Sequence, residues 1–159
     1  MPAIPFTKND GGRAAAGWTN KNTTGDCVAR AVTIASGRPY NEVYAELAEM
    51  NARMKLTKHR LKRGKAGRKT ASHGIWTKSK LFHDYMVLNG FEWTATMQIG
   101  SGCKVHVKAA ELPKGRLVLS LSKHMAAVID GVLHDAYDCS REGTRCVYGY
   151  YKLKESHAA

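Results

Sequence analysis

The run HMAAVIDGVLHDAYD, residues 124 to 138, fixes more of this chain's architecture than any other stretch. Asp130-Gly131 stands between two apolar runs and supplies the residue pair that a two-residue hairpin turn demands. A turn of that length pairs Ile129 with Val132. Stepping outward, it pairs Val128 with Leu133, Ala127 with His134 and Ala126 with Asp135. Side chains alternate between faces along a strand, so His124 falls on the face of Asp135 and diagonal to it, while His134 points the other way. The turn therefore places an imidazole and a carboxylate on one sheet face. Asp138 takes the place of Asp135 if the second strand runs longer.

Upstream, the spacing changes to that of helices. After Gly25, Val28, Ala31, Val32, Ile34 and Ala35 recur at helical intervals, and Gly37 followed by Pro39 stops the run. Asp26 or Thr24 is the expected cap. PYNEVYAELAEMNARM predicts a second helix with Tyr40, Val43, Tyr44, Leu47 and Met50 on one face. TKSKLFHDYMVLNG predicts a third, capped by Thr77 and packed through Leu81, Phe82, Tyr85, Met86 and Leu88.

Strand signals follow. FEWTATMQ alternates, KVHVKAAEL reads as a strand or short helix before the turn PKG, and RLVLSLS reads as a buried strand. CVYGYYKLK closes the series. Helices first and an antiparallel sheet second make an α+β architecture, expected as one domain over residues 1–159. Residues 1–24 show no period and are expected as an irregular arm anchored by Trp18. Trp76, Tyr85, Phe91 and Trp93 are expected in the core, and each could also wall a substrate groove.

The net charge is +12, and eight Lys or Arg residues without one acid lie in KLTKHRLKRGKAGRK, residues 55 to 69. Residues 55–74 are expected as a basic surface insertion. Lys58, Arg60, Lys62, Arg63, Lys65, Arg68 and Lys69 are its candidate contacts to a polyanion, either nucleic acid or an acidic protein. The missing interleaved aromatics argue against a single-strand stacking platform. No run approaches the roughly 20 apolar residues of a membrane span, and MPAIPFTKND lacks the order of a secretory signal, so a cytoplasmic protein without membrane attachment is expected. Cys27, Cys103, Cys139 and Cys146 form no CxxC pair. Most are expected as free thiols, and pairing Cys103 with His106, or Cys139 with Cys146, as metal ligands does not follow a known zinc spacing.

Cys27 gains from its place at a helix start. Unpaired N–H groups and the positive end of the helix dipole favour a thiolate over a thiol of ordinary pKa about 8.5. A nucleophile of this kind needs a base and an orienter, which His124 and Asp135 supply. His134 is the alternative base; His73, His83 and His106 read as surface or helix-face residues.

GDCVARAVTIASGRPYNEVY and LSKHMAAVIDGVLHDAYD together resemble the Cys block and His-Asp hairpin of papain-like cysteine peptidases, nearest to compact bacterial peptidases that cleave double-glycine leaders. They also resemble small phage and prophage proteins in which an N-D-C-x-x-R-A helix precedes a G-x-P-Y-x-x-V helix. The resemblance covers roughly residues 20 to 45 and 116 to 138. It implies a papain-like fold and a Cys27-His124-Asp135 triad acting on a peptide, isopeptide or related amide bond of a peptide or protein substrate. It implies no cofactor and no metal, and leaves transamidation open. The position where such peptidases commonly carry an oxyanion Gln is Lys21 here; Asn22 or Asn20 could serve, and Asn22 is favoured. The other reading is a phage-type accessory or anti-defence protein that binds through residues 55–69 and has a silent or secondary site.

Overall fold

The computed structural model of the protein describes residues 4–17, 26–53, 77–98 and 100–155. Its elements are β1 (Phe6–Lys8), α1 (Cys27–Ser36), α2 (Tyr40–Arg53), α3 (Lys80–Leu88), β2 (Phe91–Ala95), β3 (Arg116–Leu121), β4 (His124–Ile129), β5 (Val132–Asp135) and β6 (Gly149–Leu153), with a 3-10 turn at Ala109–Glu111. The strands form one sheet in the order β1-β5-β4-β3-β6-β2. Helices and a sheet are thus both present, in keeping with an α+β class.

The hairpin register is the one that the turn length requires. Ile129 faces Val132, Val128 faces Leu133 and Ala127 faces His134. Asp130 and Gly131 carry φ of 48° and 80°, the two positive values of a type I′ turn. A second two-residue turn, Ser122-Lys123, returns β3 into β4 so that Leu121 faces His124.

Alternation along these strands divides the core into two layers. Val118, Met125, Ala127, Tyr151 and Leu153 lie with the helices. Leu117, Leu119, Ala126, Val128 and Leu133 lie on the other face with Ile4 and Val107. Helix α1 rests on β4 and β3, and its alanines 29, 31 and 35 are buried, which lets its backbone approach the sheet closely. Gly37 ends it in the left-handed region at φ 75°, its N–H bonded to Thr33 O at 2.9 Å. In α2 the expected face of Tyr40, Val43, Tyr44, Leu47 and Met50 is buried throughout.

Five expectations are corrected. The span 1–24 is not wholly irregular: β1 lies within it and pairs parallel with β5, with Thr7 facing His134. The sheet is therefore mixed rather than antiparallel. Helix α3 begins at Lys80, capped by Ser79 rather than Thr77, because the Ser79 hydroxyl accepts from Phe82 N at 3.2 Å. Phe82 and Met86 are buried there, but Leu81 and Leu88 are exposed, Leu88 by 84%. Finally, Cys103 and Cys146 are joined in a disulfide across a sequence separation of 43, which leaves Cys27 and Cys139 as the free thiols. Backbone pairing explains the bond: Cys146 bridges His106, and Val147 N donates to Val105 O at 2.8 Å, which draws the two loops together.

Candidate active site

Cys27 is the first residue of α1, His124 the first of β4 and Asp135 the last of β5. The fold brings all three together. His124 Nε2 lies 2.7 Å from Asp135 Oδ2, and the same imidazole is near enough to the Cys27 sulfur to lower the thiol's pKa. With Nε2 committed to the carboxylate, Nδ1 is the nitrogen left for the thiol.

The charges are arranged for an ion pair. Burial acts to raise the Cys27 pKa, yet the His124 hydrogen bond and charge, the Met125 N–H and the Arg30 charge together hold it below an ordinary thiol. Burial likewise opposes charge on His124, but the bonds to Asp135, Cys139 and Cys27 push its pKa up to about 12. Asp135, although buried, is held below the usual carboxylate range by His124, by Ala136 N–H at 2.7 Å and by the Cys139 thiol. Thiolate, imidazolium and carboxylate thus form one chain of alternating charge.

Cys139 and Tyr137 were not singled out as site residues, and both touch His124. Burial pushes the Cys139 thiol up and the Asp135 charge adds to the effect. It is a donor to the carboxylate, not a second thiolate. The Tyr137 ring lies 5.5 Å from the imidazole, centroid to centroid, and is half exposed, so it covers one face of His124 at the rim. Arg145 braces both sides, donating to Ser122 O at 2.7 Å and to Cys139 O at 3.3 Å.

A buried network underlies the nucleophile. Asp26 is 0% exposed; it accepts from Arg30 Nη1 and from the Tyr40 hydroxyl at 2.7 Å, and Arg13 Nε lies in an ion pair with it at 3.0 Å. Asp26 occupies the expected cap position, yet its side chain makes no capping bond. Its carboxylate is occupied by cations instead. Arg30 also reaches Asp135 Oδ1, at 3.6 Å. The two ends of the site, helix start and hairpin end, are therefore tied through one guanidinium. The i, i+4 spacing of Asp26 and Arg30 accounts for the first of these contacts; the reach to Asp135 comes from the fold.

The alternatives fall elsewhere. His134 is on the opposite sheet face, 3.3 Å from Asn9 Nδ2, and burial with the Arg116 charge lowers its pKa. Asp138 accepts from Ser140 N and Oγ in a local turn. His83 bonds Tyr151, and His106 bonds Glu111. Asn22, with Lys21 and Asn20, lies outside the described residues, as do Trp18, His73, Trp76 and the basic residues Lys58, Arg60, Lys62, Arg63, Lys65, Arg68 and Lys69.

The donor atoms of His124, Asp135 and Cys139 lie within 4.8 Å of one another, a spacing that could hold a metal ion. The His124–Asp135 bond uses the ring nitrogen and carboxylate for each other, and the Arg30 charge beside them opposes a further cation. Among the described residues no helix is long and apolar enough to cross a membrane. No protein-family model, curated protein or solved structure matches this chain. The site is accordingly read from its own geometry.

Proposed function

We propose that the protein is a papain-like thiol hydrolase that cleaves a peptide, isopeptide or related amide bond. The observation that carries this reading is that the fold gathers the first residue of α1, Cys27, the first of β4, His124, and the last of β5, Asp135, with the imidazole bonded to the carboxylate at 2.7 Å and lowering the Cys27 pKa. Cys27 Sγ attacks the carbonyl carbon as a thiolate. The His124 imidazolium gives its proton to the leaving amine, and the resulting thioester is resolved by water, whose proton His124 takes. Asp135 holds the imidazole in position and favours its charged form. The Cys27 backbone N–H at the start of α1 is a donor for the oxyanion. An amine in place of water would make the same site a transamidase.

The test is labelling with iodoacetamide at neutral pH, followed by peptide mass mapping. Cys27 is expected to alkylate well ahead of Cys139, and His124→Ala to remove that advantage. Equal rates at the two thiols, or a Cys27 rate indifferent to His124, would overturn the reading. A phage origin and a cytoplasmic site of action belong to the same proposal, through the resemblance of the Cys block to phage and prophage proteins.

A further inference from the structure

The β4–β5 ladder stops short of the two residues that it serves to bring together. Its last pair is Ala127 with His134. Past that pair β4 reaches back to His124 against β3 while β5 carries on to Asp135 against β1, so the two strand ends diverge. A continued ladder would bond Ala136 N–H to Met125 O; that N–H donates instead to Asp135 Oδ1, at 2.7 Å. The His124–Asp135 bond therefore spans a stretch where its own two strands have no backbone pairing.

Arg145 closes that open end. Its Nη2 donates to Ser122 O at 2.7 Å, two residues before His124, and its Nη1 to Cys139 O at 3.3 Å, four residues after Asp135. The Arg145 main chain is itself fixed, its N–H bonded to Ser140 O at 3.1 Å and its carbonyl accepting from Val107 N at 3.0 Å. Arg145 is only 8% exposed, and among the described residues its guanidinium bonds these two carbonyls and no carboxylate. A buried cation without an ion pair burdens the fold. The planar fork of an arginine, unlike an ammonium, presents two donors at a fixed separation, which suits it to join two segments that do not bond each other. Holding Cys139 also holds its thiol, whose sulfur lies within 4.8 Å of the His124 and Asp135 donor atoms.

We propose that Arg145 is a positioning residue: by joining the Ser122 turn to the Cys139 segment it keeps the His124 imidazole on Asp135, and through that pair it governs Cys27. The bearing on Cys27 rests on the hydrolase reading, whereas the positioning is read on the imidazole itself. The groups facing that imidazole are Asp135, Cys139, Cys27 and the Tyr137 ring, with Arg30 beyond Asp135, and the variants used keep all of them. Full-length parent, Arg145→Met and Arg145→Lys, each labelled with nitrogen-15 histidine, are titrated by NMR from about pH 5 to 11 at temperatures where calorimetry shows them folded. The His124 midpoint is expected to fall by about one pH unit or more in both variants, since Arg145→Lys keeps the charge but not the fork. Iodoacetamide at about pH 6 is expected to label Cys27 about tenfold more slowly in both. A merely structural arginine would lower the melting temperature and leave both readouts unmoved; that result, or full recovery in Arg145→Lys, would overturn the proposal. Should neither variant fold, the parent decides: on warming below its melting temperature, the Arg145 Hη and His124 Nε2–H signals are expected to broaden together, and independent broadening counts against the positioning role. Failure of the hydrolase reading would be seen separately, as a Cys27 labelled no faster than Cys139 in a protein whose His124 midpoint still depends on Arg145.

Discussion

The side chain that sets this site's chemistry is His124, and its neighbours decide the sign of every pH effect. Its pKa is raised in the folded state to about 12, so the stability it contributes is full below the unfolded value of roughly 6.5 and is lost as pH climbs toward 12. Asp135 is shifted down, so its contribution is full above about 3.9 and is lost as pH falls through the lowered folded value. The two overlap between about pH 4 and 6.5. Asp135→Asn should therefore be most destabilised relative to the parent in that window, and the deficit should shrink toward either extreme. Urea unfolding at a series of pH values measures it. The same ion pair governs reactivity: because Cys27 is held below an ordinary thiol, its alkylation rate should stay high well into the acidic range. In His124→Ala the onset should move up toward about pH 8.5, the value of a free thiol. Cys139, raised by burial, should follow neither profile.

At the scale of elements, the Asp26 network explains why α1 starts where it does. One carboxylate joins the N-terminal segment through Arg13, its own helix through Arg30 and α2 through Tyr40. Asp26→Ala would strand two cations that are largely buried, which costs about 3–5 kcal/mol when a buried pair loses one member. Tyr40→Phe removes only the neutral donor to a charged acceptor and should cost about 1.5–3 kcal/mol. Denaturant midpoints of the two variants check the order, and a Tyr40→Phe protein as damaged as Asp26→Ala would show that the hydroxyl, not the cations, holds the helix. This network was only partly legible in the sequence. Periodicity marks the apolar stripe of α1 and α2 and so locates the helices, but a lone Arg30 on an apolar helix gives no indication that it faces inward. The β4–β5 register was fully legible, since a two-residue turn leaves no freedom in it. Strand β1 was not, because three exposed residues have no burial pattern to betray them and their partner lies more than a hundred residues away. Ser79 and Thr77 are equally good cap residues, and only the position of Phe82 in the core decides between them.

At the scale of the whole molecule, the pairing of Cys103 with Cys146 shows where local reasoning stops. Nothing in the spacing of four cysteines identifies a pair; the pair forms because the loop after β2 and the loop before β6 are hydrogen-bonded side by side. Closing a loop of 43 residues removes chain entropy from the unfolded state, worth about 3–4 kcal/mol in the loop-closure description. For a chain of this size each kcal/mol moves the melting temperature by about 2–4 °C. The bond also flanks the cleft of about 740 Å³ between Trp93, Tyr148 and Tyr151, since Met97 Sδ lies 3.8 Å from Cys146 Sγ and lines that cleft. Two consequences can be separated in a single preparation. Cys103→Ser with Cys146→Ser should melt about 10 °C below the parent, and adding a reductant to the parent should reproduce most of that loss. Cys27 alkylation should be unchanged at temperatures where both proteins are folded, because the triad is held by β4, β5 and α1 and none of these carries the disulfide. Scanning calorimetry beside iodoacetamide kinetics decides it. A large loss of Cys27 reactivity without a loss of melting temperature would mean that the covalent link supports the site rather than the fold.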